Sequence, residues 1–100
     1  MNKSKSSRKL EPTALCNYAT FLYKCRKNSE KSCKYFIDGL ERYPDHKGLV
    51  RNYTVFLKAN PLVVQSSEEY TAKSRLVLQR GKGGKHKKTL EAALMQLGML

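Results

Sequence analysis

Between Pro12 and Leu97 apolar residues recur at helical spacing in five segments, separated by stretches rich in Asn, Ser, Pro or Gly. Leu15, Tyr18, Ala19 and Leu22 fall at i, i+3, i+4 and i+7 and share one face, widened by Phe21 and Cys25. Pro12-Thr13 opens this helix, with Thr13 the expected N-cap, and Lys27-Asn28-Ser29 is the turn after it. A second helix, about Glu30 to Arg42, starts from a Ser29 cap and buries Cys33, Phe36, Ile37 and Leu40. Lys34–Asp38 and Asp38–Arg42 are i,i+4 pairs on its outer side, and Pro44 stops it. Asp45 is the expected cap of a third helix, about His46 to Ala59, whose apolar face is Leu49, Val50, Tyr53, Phe56 and Leu57. Leu62-Val63-Val64 reads either as an extended cover over the core or as the first turn of the next helix. Ser66 or Ser67 followed by Glu68-Glu69 starts a fourth helix to about Gln79, expected to bury Tyr70, Leu76, Val77 and either Ala72 or the stem of Lys73. A last helix, capped by Thr89 and running from Leu90 to about Leu97, carries Leu90, Ala93, Leu94 and Leu97 on one stripe. It is too short to stand alone, so it is expected to dock on the fourth helix or on another chain.

The first and third helices repeat each other. Asn17-Tyr18-Ala19-Thr20-Phe21-Leu22 returns as Asn52-Tyr53-Thr54-Val55-Phe56-Leu57, an offset of 35 residues. Leucines precede both copies, Leu15 and Leu49, and the first copy leads into Ser32, Phe36, Gly39 and Leu40 with Pro44 beyond. This pattern resembles the tetratricopeptide repeat (TPR), an antiparallel helix pair of about 34 residues. Alanine is usual in that family where Ser32 and Gly39 stand, and Asn60-Pro61 lengthens the turn in the second copy. Ala72 and Leu76 echo Ser32 and Phe36 more weakly. The resemblance implies an all-α fold: two degenerate TPR-like helix pairs over 13–79, stacked as a short solenoid, and a C-terminal capping helix over 89–100. Residues 1–12 form a basic tail, read as disordered, and 80–88 a basic Gly/Lys linker. The competing reading is an unrelated helical bundle with a chance hexapeptide match.

In the TPR family the first helix of each pair lines a groove that holds a partner peptide. The resemblance therefore places Asn17, Thr20, Arg51 and Asn52 at a peptide-binding surface, with Arg51 and Asn52 suited to a carboxylate terminus. Cys16 before Asn17, and Thr20 where a second asparagine would help, leave that carboxylate grip incomplete. The alternative is that Asn17 and Asn52 cap or bridge neighbouring helices.

Charge changes the picture most. The chain is 100 residues with net charge +12, which points towards an acidic partner, nucleic acid or an anionic surface. Arg80, Lys82, Lys85, Lys87 and Lys88 are candidates for phosphate or RNA contact, with backbone amides near Thr89. A solvated basic linker is the plainer reading. A nucleotide-hydrolysing loop is excluded, because no glycine precedes Lys88 and the preceding segment is helical. Six tyrosines amid this charge suggest base stacking, although Tyr18 and Tyr53 read as repeat-core positions.

Cys16, Cys25 and Cys33 lack metal-ligand spacing, and an odd count argues against a disulfide framework, so they are expected to pack as small apolar groups. No cofactor, no metal site and no catalytic constellation is expected, hence not an enzyme. The sequence carries neither a bilayer-length apolar run nor a secretory signal, which places it inside the cell. Together these readings describe a non-catalytic module for a protein or peptide partner, with RNA binding as the alternative. Two repeats alone are few, so help is expected from the last helix, from self-association or from a partner.

Overall fold

A computed structural model describes residues 11–80 and 84–100, and within them the chain is helical. The helices are α1 (Pro12–Lys24), α2 (Ser29–Arg42), α3 (Lys47–Ala59), α4 (Pro61–Gln65), α5 (Glu68–Arg80) and α6 (Lys85–Gln96). Contacts run from α1 to α3 and from α3 to α6, while α2 packs behind α1 and α3 and also meets α4 and α5. The expected stripes of α2 and α3 form the core, together with Leu15, Ala19 and Leu22 of the α1 stripe, whereas Tyr18, Phe21 and Cys25 are exposed. Leu15, Ala19 and Leu22 of α1 close on Cys33, Phe36, Ile37 and Leu40 of α2, and on Leu49, Val50, Tyr53, Phe56 and Leu57 of α3. At its centre Phe36 meets Tyr53 at 5.8 Å and Phe56 at 5.5 Å, and Tyr23 stands edge-on to Phe56 at 5.2 Å. Such pairs add about 0.5–1.5 kcal/mol each beyond their buried area.

Gly39 sits where α2 crosses α3. A Cβ there would lie 3.1 Å from a Leu49 methyl, so a side chain at this position forces the helices apart or pushes Leu49 aside. Ser32, the other departure from alanine, is buried and donates to the Ala19 carbonyl at 2.6 Å, tying α2 to α1. At the far end Gly98 adopts φ +73°, a left-handed turn that suits glycine. There the Met99 amide bonds the Leu94 carbonyl and the Met99 side chain turns into the core.

Several boundaries differ from expectation. Helix α1 starts two residues earlier than a Thr13 cap implies, with Glu11 as N-cap and Pro12 as its first residue. Asn28, not Ser29, caps α2 by accepting from the Lys31 amide, and the Ser29 hydroxyl donates to Asn60 instead. His46, not Asp45, caps α3 through Nδ1, which accepts from the Leu49 amide at 3.1 Å. Leu62-Val63-Val64 is neither strand nor part of the fourth helix but the short helix α4. Ser67 does cap α5, accepting from the Tyr70 amide. In α5 only Ser74 and Val77 are buried, and Leu76 and Ala72 face solvent. Lys34–Asp38 and Asp38–Arg42 are not among the ion pairs of the described residues. The outer side of α2 is instead tied to α5 by Lys73, 3.8 Å from Glu41 and 3.3 Å from Glu69.

The largest departure is at α6. The helix begins at Lys85 behind Gly84, so Lys85 to Lys88 form its first turn, and Thr89 bonds back to the Lys85 carbonyl within the helix. It docks mainly on α3 and only lightly on α5. Among the described residues, no helix is long and apolar enough to cross a membrane.

Candidate functional site

The two repeat copies meet along the seam between α1 and α3. The Cys16 thiol donates to the Gly48 carbonyl at 3.5 Å, and the Asn52 amide donates to the same carbonyl at 2.8 Å. Thr20, one turn on in α1, and Asn52 of α3 lie near enough to Cys16 to act on its thiol. Burial raises the Cys16 thiol above its usual range, while Thr20 and Asn52 pull it part of the way back. Thr20 and Asn52, one from each copy, are therefore brought together at one sulfur. Their side chains are half-buried and engaged there, whereas Asn17 and Arg51 beside them are exposed. Of the four groove candidates, the outer two are open to a ligand and the inner two hold the seam.

The basic candidates divide in another way. Arg80 is exposed at the end of α5, and Lys85 and Lys88 are exposed on the first turn of α6. Lys82 lies outside the described residues. Lys87 is only 8% exposed. Its ammonium donates to the Val77 carbonyl at 3.1 Å and lies 3.8 Å from Asp45. Val77 belongs to the last turn of α5, where carbonyls lack helical partners and the helix end favours a cation. Lys87 thus ties α6 to α5 and to the loop before α3, and its ammonium is engaged in those contacts. Its place on the Leu90–Leu94 stripe, three residues before Leu90, is the sequence signal that it faces inward.

The starts of α3 and α6 open into a cavity of about 580 Å³, lined by Asp45, Lys47, Val50, Gly84, Lys85, His86 and Lys87. Neither helix has an acid in its first turn, and the acid among the lining residues is Asp45, directly before the α3 cap and 3.8 Å from Lys87. No motif marks Lys47 and His86, because they come together only through the docking of α6 on α3.

Other expectations need correcting. Cys16 and Cys33 are buried, but Cys25 is exposed and does not pack in an interface. Tyr53 is fully buried, yet Tyr18, its counterpart in the first copy, is 41% exposed and Phe21 is 45% exposed. No three His, Cys, Asp or Glu side chains gather as a metal-ligand set among the described residues. No protein-family model, curated protein or solved structure matches the chain.

Proposed function

We propose that the protein is a non-catalytic interaction module, a degenerate TPR-like pair of repeats that binds an acidic peptide or protein segment. The observation that carries this reading is the seam itself. Two helices with related hexapeptides, alike at four of six positions, meet where Cys16 and Asn52 both donate to the Gly48 carbonyl, and Asn17 and Arg51 face solvent. Arg51 supplies a planar donor fork for a carboxylate, Asn17 supplies an amide, and the net charge of +12 speeds capture of an acidic partner.

The test is a screen of acidic peptides with free carboxylate termini, repeated on the Asn17→Ala, Arg51→Ala double variant for each peptide that binds. Both side chains are exposed, so the fold should survive. Removing a bidentate carboxylate grip should weaken binding about tenfold or more. Unchanged affinity in the double variant refutes the groove.

A second reading, RNA binding, draws on the cavity where Lys47, Lys85 and His86 gather at two helix starts. It predicts that Lys47→Gln with Lys85→Gln lowers affinity for single-stranded RNA and flattens its salt dependence by about one unit of slope for each phosphate left unneutralised.

A further inference from the structure

The internal repeat exposes a second surface, separate from the groove. In the first copy Ala14, Tyr18, Phe21 and Cys25 stand at i, i+4, i+7 and i+11 on α1, and all four are exposed. The counterparts of the first three, 35 residues on, are Leu49, Tyr53 and Phe56 of α3, and each is 0% exposed. The aromatic pair has the same local geometry in both copies. Tyr18 and Phe21 lie 6.5 Å apart with planes at 17°, and Tyr53 and Phe56 lie 6.1 Å apart at 14°. What differs is the cover. The α3 stripe is closed by α2, with Phe36 against both rings and Gly39 admitting Leu49. On α1 the edge of Tyr35 stands 5.1 Å from Tyr18, and Tyr18 and Phe21 remain 41% and 45% exposed. Beside it lies a hollow of about 800 Å³ lined by Tyr18, Phe21, Cys25, Arg26 and Lys31.

We infer that this face of α1 docks an acidic amphipathic helix from a partner protein, seated as α2 is seated on α3. Repeat equivalence supplies the shape, because the same stripe on α3 already accepts a helix. Charge supplies the sign. From Tyr18 to Tyr35 the chain carries Lys24, Arg26, Lys27, Lys31 and Lys34, all exposed, against the single acid Glu30. The chain's own residues 1–10 bring four more cations, and a second copy brings the same basic rim, so both are disfavoured as occupants. This surface stands or falls independently of the groove at Asn17 and Arg51.

The test uses the full chain and a fluorescent peptide copying Ser29–Arg42, made acidic by Lys31→Glu, Lys34→Glu and Arg42→Glu, with Cys33→Ala and a lactam to hold it helical. A peptide with the same apolar face and lysines in place of its acids is the control. Affinity is read by fluorescence polarisation, and location by the rate at which Cys25, the exposed thiol, reacts with Ellman's reagent. The acidic peptide should bind and slow Cys25 about tenfold, and Tyr18→Ser with Phe21→Ser should weaken it about tenfold or more, since aromatic anchors dominate such contacts. Circular dichroism should show those variants folded, and Asn17→Ala with Arg51→Ala should leave this binding unchanged. The inference is overturned if the acidic peptide fails to bind, if the lysine peptide binds equally, or if Cys25 stays unprotected. It is also overturned if a uridine oligonucleotide protects Cys25 in the peptide's place, or if sedimentation shows a dimer that Phe21→Ser dissolves.

Discussion

The hydroxyl pair Tyr53–Ser74 is the buried polar link between α3 and α5, and its energetics follow from where its protons go. Ser74 Oγ donates to the Tyr70 carbonyl at 2.8 Å, so its one proton is committed. The 2.6 Å contact between Tyr53 and Ser74 therefore carries the phenol's proton. Ser74→Ala leaves that phenol donor, 0% exposed, with only the weakly accepting Cys33 sulfur nearby. An orphaned buried donor costs about 1–3 kcal/mol, and the sulfur keeps this case near ~2 kcal/mol. Tyr53→Phe removes the donor together with its need for a partner and should cost about 1 kcal/mol. In the double variant nothing polar is stranded, so its cost should stay at about 1–2 kcal/mol rather than the sum, a coupling of about 1–2 kcal/mol. Urea unfolding followed by circular dichroism measures all four corners of the cycle. In thermal scans each ~1 kcal/mol should move the midpoint by about 4–8 °C for a domain of this size. Additive effects within about 0.5 kcal/mol, or Ser74→Ala milder than Tyr53→Phe, would refute the proton assignment.

Two other outcomes can be checked on the same apparatus. Lys87→Met keeps the buried stem but strips the Val77 carbonyl of its cation, and should lower stability by about 1–2 kcal/mol; an unchanged urea midpoint would show that the ammonium contributes nothing. Burial pushes the Cys33 thiol up from 9.0 to about 12 and raises the Tyr53 phenol too, so the fold favours both neutral forms. Their contribution is complete below the ordinary values and is lost as pH rises through the raised ones, so stability should fall from about pH 9 towards 12. Cys33→Ala should lessen that fall, and an identical slope in the variant would remove Cys33 as a cause.

The helices were legible because each apolar stripe of α1 to α3 is long and regular, and those of α2 and α3, with Leu15, Ala19 and Leu22 of α1, form the core. The caps were less so. At Asn28-Ser29 and Asp45-His46 two competent residues stand together, and the choice depends on the path of the chain: Ser29 is drawn to Asn60, and Asp45 lies beside Lys87. The start of α6 was hidden by its composition. Glycines and lysines read as linker, yet Lys87 is held by α5 and the helix begins ahead of it. The repeat led to equal environments for Tyr18 and Tyr53, but identical residues on two helices are buried only where each has a neighbour behind it. That asymmetry is a property of packing, and no local pattern encodes it. Of the groove candidates, the sequence marked all four positions but not the division between Thr20 and Asn52, which brace the seam, and Asn17 and Arg51, which face outward.

The docking of α6 on α3 also bears on how the chain is made. Synthesis completes α1, α2 and α3 at Ala59, with the Val50 side of α3 awaiting a helix that ends some 40 residues later, near Met99. At about 5–20 residues per second that interval is roughly 2–8 s. Helices form in microseconds, so α1 to α3 have ample time to pair while that apolar surface is still bare. The nascent chain thus passes through a stage in which α3 carries the apolar surface that α6 later covers, and a product that stopped before Lys85 would remain there.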